Sequence, residues 1–529
     1  MPSRTIVALA SLAFGGCAPA VRQPAVVVPP KLVVFITVDQ LLPDYYDRWK
    51  HQLNGGLALL YREGAVFQNG YQDHAIAETA PGHASTMSGR FPVHTGIASN
   101  SAGVADPATT LIGTIGIGAS PHRFRGTTLT DWLLARDPST RVLSVSRKDR
   151  GAILPIGRSK AQVFWYSPAR TGEGNGAFVT SSYYTAELPQ WVRDFNARRL
   201  PHSYAGKPWD LLLPASAYTE ADSVPIENLG RDIVFPHVAP ADSDAAAFLA
   251  PNYPWIDDVT LQLALEGVNR MELGAGRRTD VLAISLSGMD GAGHAFGPDS
   301  REVHDYALRL DRMLGTFLDS LFKLRGRANV IVALTADHGV APFIDVSGKV
   351  RNPHATRVFI APVMARAREM IREAGGDTTA ISFGVGALDL DRAKLGNVNV
   401  DAIVAAFADS VKRIPGVLRV DRPSELARQD TVRDHIARRW LHMFASDDEA
   451  ALVVTLTPYS YWGAGTFATH GTPHDYDVRV PVIFFGAPFR PGMHAQTVRV
   501  VDMAPTLARV LGVTPLERLD GVPLGAALR

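Results

Sequence analysis

Thr79 lies in the run H-A-I-A-E-T-A-P-G-H-A-S from His74 to Ser85, where Pro81 and Gly82 open a stretch of small residues suited to a helix. A hydroxyl there sits at the mouth of a helix N-terminus, whose free N–H groups and dipole favour an anion. Alone, such a threonine is read as a cap. Four other short stretches change that reading, because they supply metal-ligating side chains. Asp39 ends an apolar run; Asp290 and His294 lie four apart in G-M-D-G-A-G-H; Asp337-His338-Gly339 ends another run; T-H-G-T-P-H-D-Y-D from Thr469 to Asp477 offers His470 and His474. If the Asp290 segment turns helically, its two side chains share a face within reach of one cation, while its glycines argue for a tight loop. Gly339 permits the sharp turn that adjacent Asp and His need to ligate one metal. Carboxylate and imidazole both suit zinc. The only cysteine is Cys17, so thiolate ligation of such a site and an intrachain disulfide are both excluded. Beside cations, Thr79 becomes a candidate nucleophile. The cluster Arg147-Lys148-Asp149-Arg150 is either a solvated corner or a clamp, with Lys148 and Arg150 alternating on one side to hold phosphoryl oxygens.

Strand tips have to position these groups. Lys31 to Val38, Arg141 to Ser146, Asp280 to Ser287 and Asn329 to Ala336 are β-branched runs of the kind buried on both faces of a parallel sheet. Each delivers one of the chemical stretches at its carboxyl end, and ligands of open α/β sheets bind beyond such ends. Asp39 alone is equally readable as the cap of a turn before Leu41-Leu42-Pro43. Helical spacing predicts helices over Leu53 to Glu63, Asp257 to Leu273, Arg301 to Leu324 and Val501 to Leu511. Ala65 to Tyr71 is a short strand leading to the Thr79 helix, and V-R-V-P-V-I-F-F-G a last core strand. Residues 159–254 loosen into short aromatic and Pro-rich pieces, read as an insertion that covers the mouth of the sheet and shapes substrate selectivity. Residues 362–456 combine two helical segments, a strand pair over Ile381 to Leu390 and two further strands, and read as a smaller α+β insertion.

At 529 residues, 46% hydrophobic and 20% charged, the chain is too long for one simple core and ordinary in composition, so one large α/β domain over 31–529 with insertions is expected. A net charge of +1 provides no field for duplex nucleic acid or an anionic membrane. Ser3 and Arg4 before the apolar run Ile6 to Phe14 mark residues 1–20 as a signal peptide, too short to span a membrane, and export to a bacterial periplasm is expected. Phe14-Gly15-Gly16-Cys17 resembles a lipoprotein box with Phe where that pattern prefers Leu, which would anchor the protein through a lipid on Cys17. A cut after Ala18-Pro19-Ala20 would instead release it. Residues 21–30 read as a Pro- and Val-rich linker.

Taken in order, V-D-Q, E-T-A-P-G-H-A-S, K-D-R-G-A-I-L-P, M-D-G-A-G-H, A-D-H-G and T-H-G-T run through nearly all of the chain from Lys31 onward. In them the chain resembles the alkaline phosphatase superfamily, and within it the exported alkaline phosphatases with a threonine nucleophile, related to type I phosphodiesterases and nucleotide pyrophosphatases. The resemblance implies an α/β sandwich: a central, mostly parallel β-sheet with helices on both faces, plus inserted cap and α+β segments. It implies two Zn2+ ions, one held by Asp290, His294 and His470, the other by Asp39, Asp337 and His338 with Thr79 Oγ. His470 is preferred to His474 because the family's ligand directly precedes Gly. Thr79 would be the nucleophile, and Asn100, Lys148 and Arg150 would bind phosphoryl oxygens. The third, magnesium-binding site of some members has no evident ligand set here.

Two cations about 4 Å apart can hold the attacking and leaving oxygens of an in-line displacement. Thr79 would then form a phosphothreonine. The K-D-R cluster favours dianionic monoesters, so a broad, zinc-dependent phosphate-monoester hydrolase is expected, acting as a monomer on small phosphate esters. A nucleotide phosphodiesterase is the alternative enzyme, and a non-catalytic phosphate-binding lipoprotein the alternative of another class. Sulfatases of the superfamily begin the nucleophile motif with Cys or Ser and place Arg four residues on, where this chain has Thr79 and His83.

Overall fold

The computed structural model describes residue 1 and residues 30–529, apart from 397, 446, 447, 449 and 466. The signal segment, Cys17 and residues 21–29 of the linker lie outside the described residues. Among those described, no helix is long and apolar enough to cross a membrane.

The apolar runs become strands because neither of their faces meets water. β1 (Leu32–Val38), β2 (Ala65–Tyr71), β3 (Val142–Ser146), β4 (Gln162–Pro168), β5 (Asn175–Ser181), β6 (Asp280–Leu286), β7 (Val330–Thr335) and β8 (Arg479–Phe485) belong to one twelve-stranded sheet. Its centre, in the order β7-β1-β6-β3-β4, is parallel throughout. β8 pairs antiparallel with β7, β2 with β8, and β5 with β4. Every residue of β1, β3, β6 and β7 is buried, which accounts for their continuous rather than alternating hydrophobicity. Register then levels the tips. Val38 lies opposite Leu286, Thr37 opposite Thr335, and Ser285 opposite Ser146. The residues that follow these strands therefore start from one rim.

Seven helices matter for the site and its support: α1 (Gly56–Glu63), α2 (Thr79–Ser88), α3 (Trp255–Arg270), α4 (Gly288–Phe296), α5 (Arg301–Arg325), α6 (His435–Leu441) and α7 (Met503–Leu511). α1 begins at Gly56 instead of Leu53. The backbone N–H groups of Asn54, Gly55 and Ala58 donate to the buried Asp311 carboxylate of α5 at 2.8, 2.6 and 3.0 Å. Asp311 thus does from a neighbouring helix what an N-cap side chain does locally.

The region from 159 is corrected by the structure. Its first part is no cover: Val163 to Tyr166 is buried in β4, parallel to β3, and β5 returns beside it. A short apolar run with no alternation is what a strand covered on both faces looks like, and the flanking Ser and Pro residues obscured it. Short helices, turns and two-residue strands occupy most of the rest, to residue 254. Farther on, Ile381–Gly384, Ala387–Leu390, Ala450–Leu456 and Val417–Asp421 form a separate four-stranded antiparallel sheet. Helices Ala361–Glu373 and Val400–Val411 close it over a core that includes Ile371, Leu388, Phe407 and Val454.

Replacing Asp311 by alanine leaves three backbone donors without their acceptor and is expected to cost about 2–4 kcal/mol. The thermal midpoint of Asp311→Ala should fall while its kcat/KM at low temperature stays that of the parent, since α1 takes no part in the site described next.

Candidate active site

Thr79 is the first residue of α2, not its cap; the extended Glu78 precedes it, and the threonine is buried. Asn100 ties that first turn down. Its Oδ1 accepts from Ala80 N at 2.9 Å and its own N–H donates to Glu78 Oε2 at 2.7 Å. Burial pushes the Glu78 carboxyl up, against the lowering effect of that bond. Gly82 lets the helix lie directly on the tip of β7, because any Cβ there would run into the backbone of Asp337. His83 fastens the same contact: Nδ1 is 2.9 Å from Thr79 O and 3.2 Å from Asp337 Oδ2, while Nε2 is 2.9 Å from Ser285 Oγ on β6.

The acids and imidazoles converge on this helix. Asp290, His294 and His470 bring one ligand atom each within 4.8 Å of one another, and so do Asp39, Asp290 and His338, so Asp290 belongs to both groups. The glycine-flanked segment is the helix α4, not a tight loop, and four-residue spacing sets His294 Nε2 3.2 Å from Asp290 Oδ1. His338 Nε2 lies 3.2 Å from Asp39 Oδ1 and 3.6 Å from Asp337 Oδ2. His470 Nε2 is 3.8 Å from Asp290 Oδ1. His474 points elsewhere, with Nε2 2.8 Å from the Leu456 carbonyl.

Three observations fit these residues to divalent cations. His294, His338 and His470 each hold Nδ1 against a backbone carbonyl, of Ala468, Gly339 and Ala77 at 2.6, 2.9 and 2.6 Å, which leaves Nε2 to the cluster. Asp39 Oδ1, Asp337 Oδ2 and His338 Nε2 are buried with ion-pair contacts but no aligned hydrogen bond. The third is charge. Burial and Asp290 push Asp39 up, yet Lys148 and His338 hold it below the usual carboxylate range. Burial likewise raises Asp290, and Lys148 and His294 outweigh it. His470 is kept neutral by burial and by His338 and His294. His338 is pushed up to about 9, burial being overcome by Asp337 and Asp39. Ionised acids and a neutral imidazole are the forms a metal binds; at His338 it would displace a proton.

Lys148, expected on phosphoryl oxygens, here bonds to carboxylates. Its Nζ contacts Asp39 Oδ2, lies 2.7 Å from Asp290 Oδ2 and 3.3 Å from Thr79 Oγ1. Arg150 lies in the first turn of a short helix, Asp149–Ile153, with its guanidinium 3.6 Å from Asp149 and Nε unbonded. Both line a cavity of about 710 Å³ walled by Leu111, Trp165 and Val179. Residues that sequence reasoning did not assign complete the site. Gln40, in the left-handed region at φ 69°, donates from Nε2 to Asp290 Oδ1 at 2.9 Å and from N to Asp337 Oδ1 at 3.2 Å. Its only sequence signal is adjacency to Asp39. Arg147 Nη2 lies 3.9 Å from Asp290 Oδ2. His83 carried no signal as a bridge.

Comparison with known proteins gives the family and the fold. The family model described as type I phosphodiesterase / nucleotide pyrophosphatase matches residues 33–442. The chain is 31% identical to alkaline phosphatase PafA of Elizabethkingia meningoseptica, over 94% of this chain and 94% of that protein. It is 32% identical to alkaline phosphatase PhoV of Synechococcus elongatus, over 93% of this chain and 91% of that one. The crystal structure of wild type PafA superimposes with a TM-score of 0.86 at 29% identity, covering 95% of this chain and 99% of that chain. The chain is an enzyme that belongs to the type I phosphodiesterase / nucleotide pyrophosphatase family of the alkaline phosphatase superfamily.

Proposed function

We propose that the protein is a zinc-dependent phosphate-monoester hydrolase acting through a phosphothreonine on Thr79. The observation that carries this reading is the meeting of Thr79 Oγ1 with Lys148 Nζ, at 3.3 Å, beside two overlapping groups of ligand-competent acids and imidazoles at the tips of parallel strands. The alkaline phosphatase names of the relatives support it.

Zn2+ held by Asp290, His294 and His470, and a second by Asp39, Asp337 and His338, would lower the pKa of an oxygen nucleophile and neutralise charge on the displaced oxygen. The chain's own residues do the rest. Thr79 Oγ gives its proton to solvent and attacks phosphorus as the ester P–O bond breaks; the alkoxide leaves and takes a proton from water, and a second water then attacks phosphorus, breaking the Oγ–P bond to release inorganic phosphate and return the proton to Thr79. His83 and Asn100 hold the first turn of α2 so that the hydroxyl cannot drift from the strand tips. Lys148 compensates Asp39 and Asp290 in the free protein; its flexible stem lets the ammonium turn to a phosphoryl oxygen once those carboxylates have another cation. Arg150 faces the second free oxygen. Asn100 has committed Oδ1 to Ala80, so Nδ2 is the donor it can offer.

A second reading, phosphodiesterase, has one observation in its favour: the wall of Leu111, Trp165 and Val179 beside Lys148 and Arg150 provides an apolar shelf for a second ester group. Two cations facing free oxygens favour the dianionic monoester. Export through the segment ending near Cys17 and action as a monomer on small phosphate esters complete the proposal.

Thr79→Ala should lose about 10⁴-fold or more in kcat/KM while elemental analysis still finds zinc; undiminished turnover would falsify the assignment. The double variant Lys148→Ala/Arg150→Ala should lose at least about 10²-fold against a monoester and far less against a diester with the same leaving group, and a diester preference in the parent enzyme would favour the second reading. Chelation should abolish turnover and lower the thermal midpoint, and zinc should restore both.

A further inference from the structure

We propose that the alcohol leaving this enzyme's preferred phosphate esters carries a ring, and that the ring is gripped between Leu229 and Phe467. The proposal rests on the monoesterase reading above and names its substrate class.

A cavity of about 540 Å³ has Asp290 and His294 on its wall. In that reading Thr79 Oγ belongs with Asp39, Asp337 and His338, so an in-line displacement sends the displaced oxygen to the Asp290, His294 and His470 side, and the cavity receives whatever that oxygen carries. Part of its wall is aromatic, formed by Trp209, Tyr253 and Phe296, all buried. Its lining also includes two large apolar side chains that stand in water, Leu229 at 65% and Phe467 at 49% exposure. Single exposed apolar residues are common on proteins; two on one cavity beside reactive groups form an apolar surface open to a ligand. Phe467 meets the His294 ring edge-on, with centroids 6.2 Å apart.

The segment that presents Leu229 is also strained. Asn228, Leu229 and Asp232 have φ of 44°, 59° and 47°, a region that a leucine seldom adopts. Strain of this kind persists where the surroundings impose it, and ligand clamps are where it gathers. The same segment lies against the core near α5: Asp232 Oδ2 is 3.2 Å from His237 Nδ1, and His237 Nε2 is 3.1 Å from Glu302 Oε1.

A small polyol would leave both apolar faces wet and gain nothing from them. A flat ring covers both, and the Arg147 guanidinium on the same wall adds a cation against its face. The volume suits one ring-bearing alcohol, such as a benzylic alcohol or a nucleoside.

Benzyl phosphate and ethyl phosphate, both esters of primary alcohols, provide the test. The parent enzyme should favour the benzyl ester by about tenfold or more in kcat/KM. The double variant Leu229→Ala/Phe467→Ala should bring that ratio to within about twofold, whereas Val432→Ala, exposed elsewhere on the surface, should leave rates and ratio as they are. The Kd ratio of benzylphosphonate to ethylphosphonate, read by calorimetry, should move in the same direction. A parent ratio near one, or a double variant that slows both esters equally, overturns the proposal. Failure to hydrolyse either ester overturns the monoesterase reading instead, and the phosphonate ratio then still decides whether the ring is held.

Discussion

The structure depends on two buried carboxylates held side by side. Asp39 and Asp290 bring oxygens within 4.8 Å of each other, and neither side chain meets solvent to any extent that would screen it. At an effective dielectric constant of about 20 their mutual repulsion is about 3.5 kcal/mol. Burial adds to that cost, so the pair persists in ionised form only beside positive charge. In the protein alone Lys148 supplies it, touching both, with His338 beside Asp39. A pair so arranged is a standing demand for cations, and the groups around it are built to admit them: three imidazoles turned Nε2-first by backbone carbonyls, and acid oxygens left without an aligned hydrogen bond.

That demand is met by sheet geometry. Four parallel strands end level, and the nucleophile helix does not follow any of them in sequence; it is pressed onto β7 by the absence of a side chain at Gly82 and by the His83 bridge. A strand tip is rigid because its residues are hydrogen-bonded on both sides, which gives the ligands the positional accuracy that metal and phosphoryl chemistry need.

The loop that carries His470 is joined to the segment after β7 by a backbone bond, from Ala341 N to the Thr469 carbonyl at 2.8 Å, and is held further by the smaller unit. Arg439 of α6, buried, donates to the Pro473 carbonyl at 2.6 Å and pairs with Asp475 at 2.7 Å, with Asp73 3.6 Å away. Its neighbour Arg438 forks onto Asp73. Asp73 lies just ahead of the Thr79 segment, so one pair of arginines links the nucleophile's approach to the last histidine.

Much was legible from residues alone. β1, β3, β6 and β7 announce themselves because burial on both faces leaves an unbroken apolar run, and the acids at their ends mark the rim where ligands bind. The order of the motifs was enough to imply the superfamily. What local sequence could not carry is pairing at a distance: Gln40 meets Asp290 across 250 positions, and nothing near Gln40 encodes that. For the same reason β4 was hidden in a segment read as cover, the choice between His470 and His474 turned on which imidazole the loop swings inward, and the contact of Lys148 with two acids appeared only in three dimensions. Sequence determined which residues are buried and which chemical groups sit at strand ends, because hydrophobic burial is written residue by residue. Tertiary structure alone decided which of those groups face one another, because that follows from strand order, register and the close approach of helices, which are properties of the whole chain.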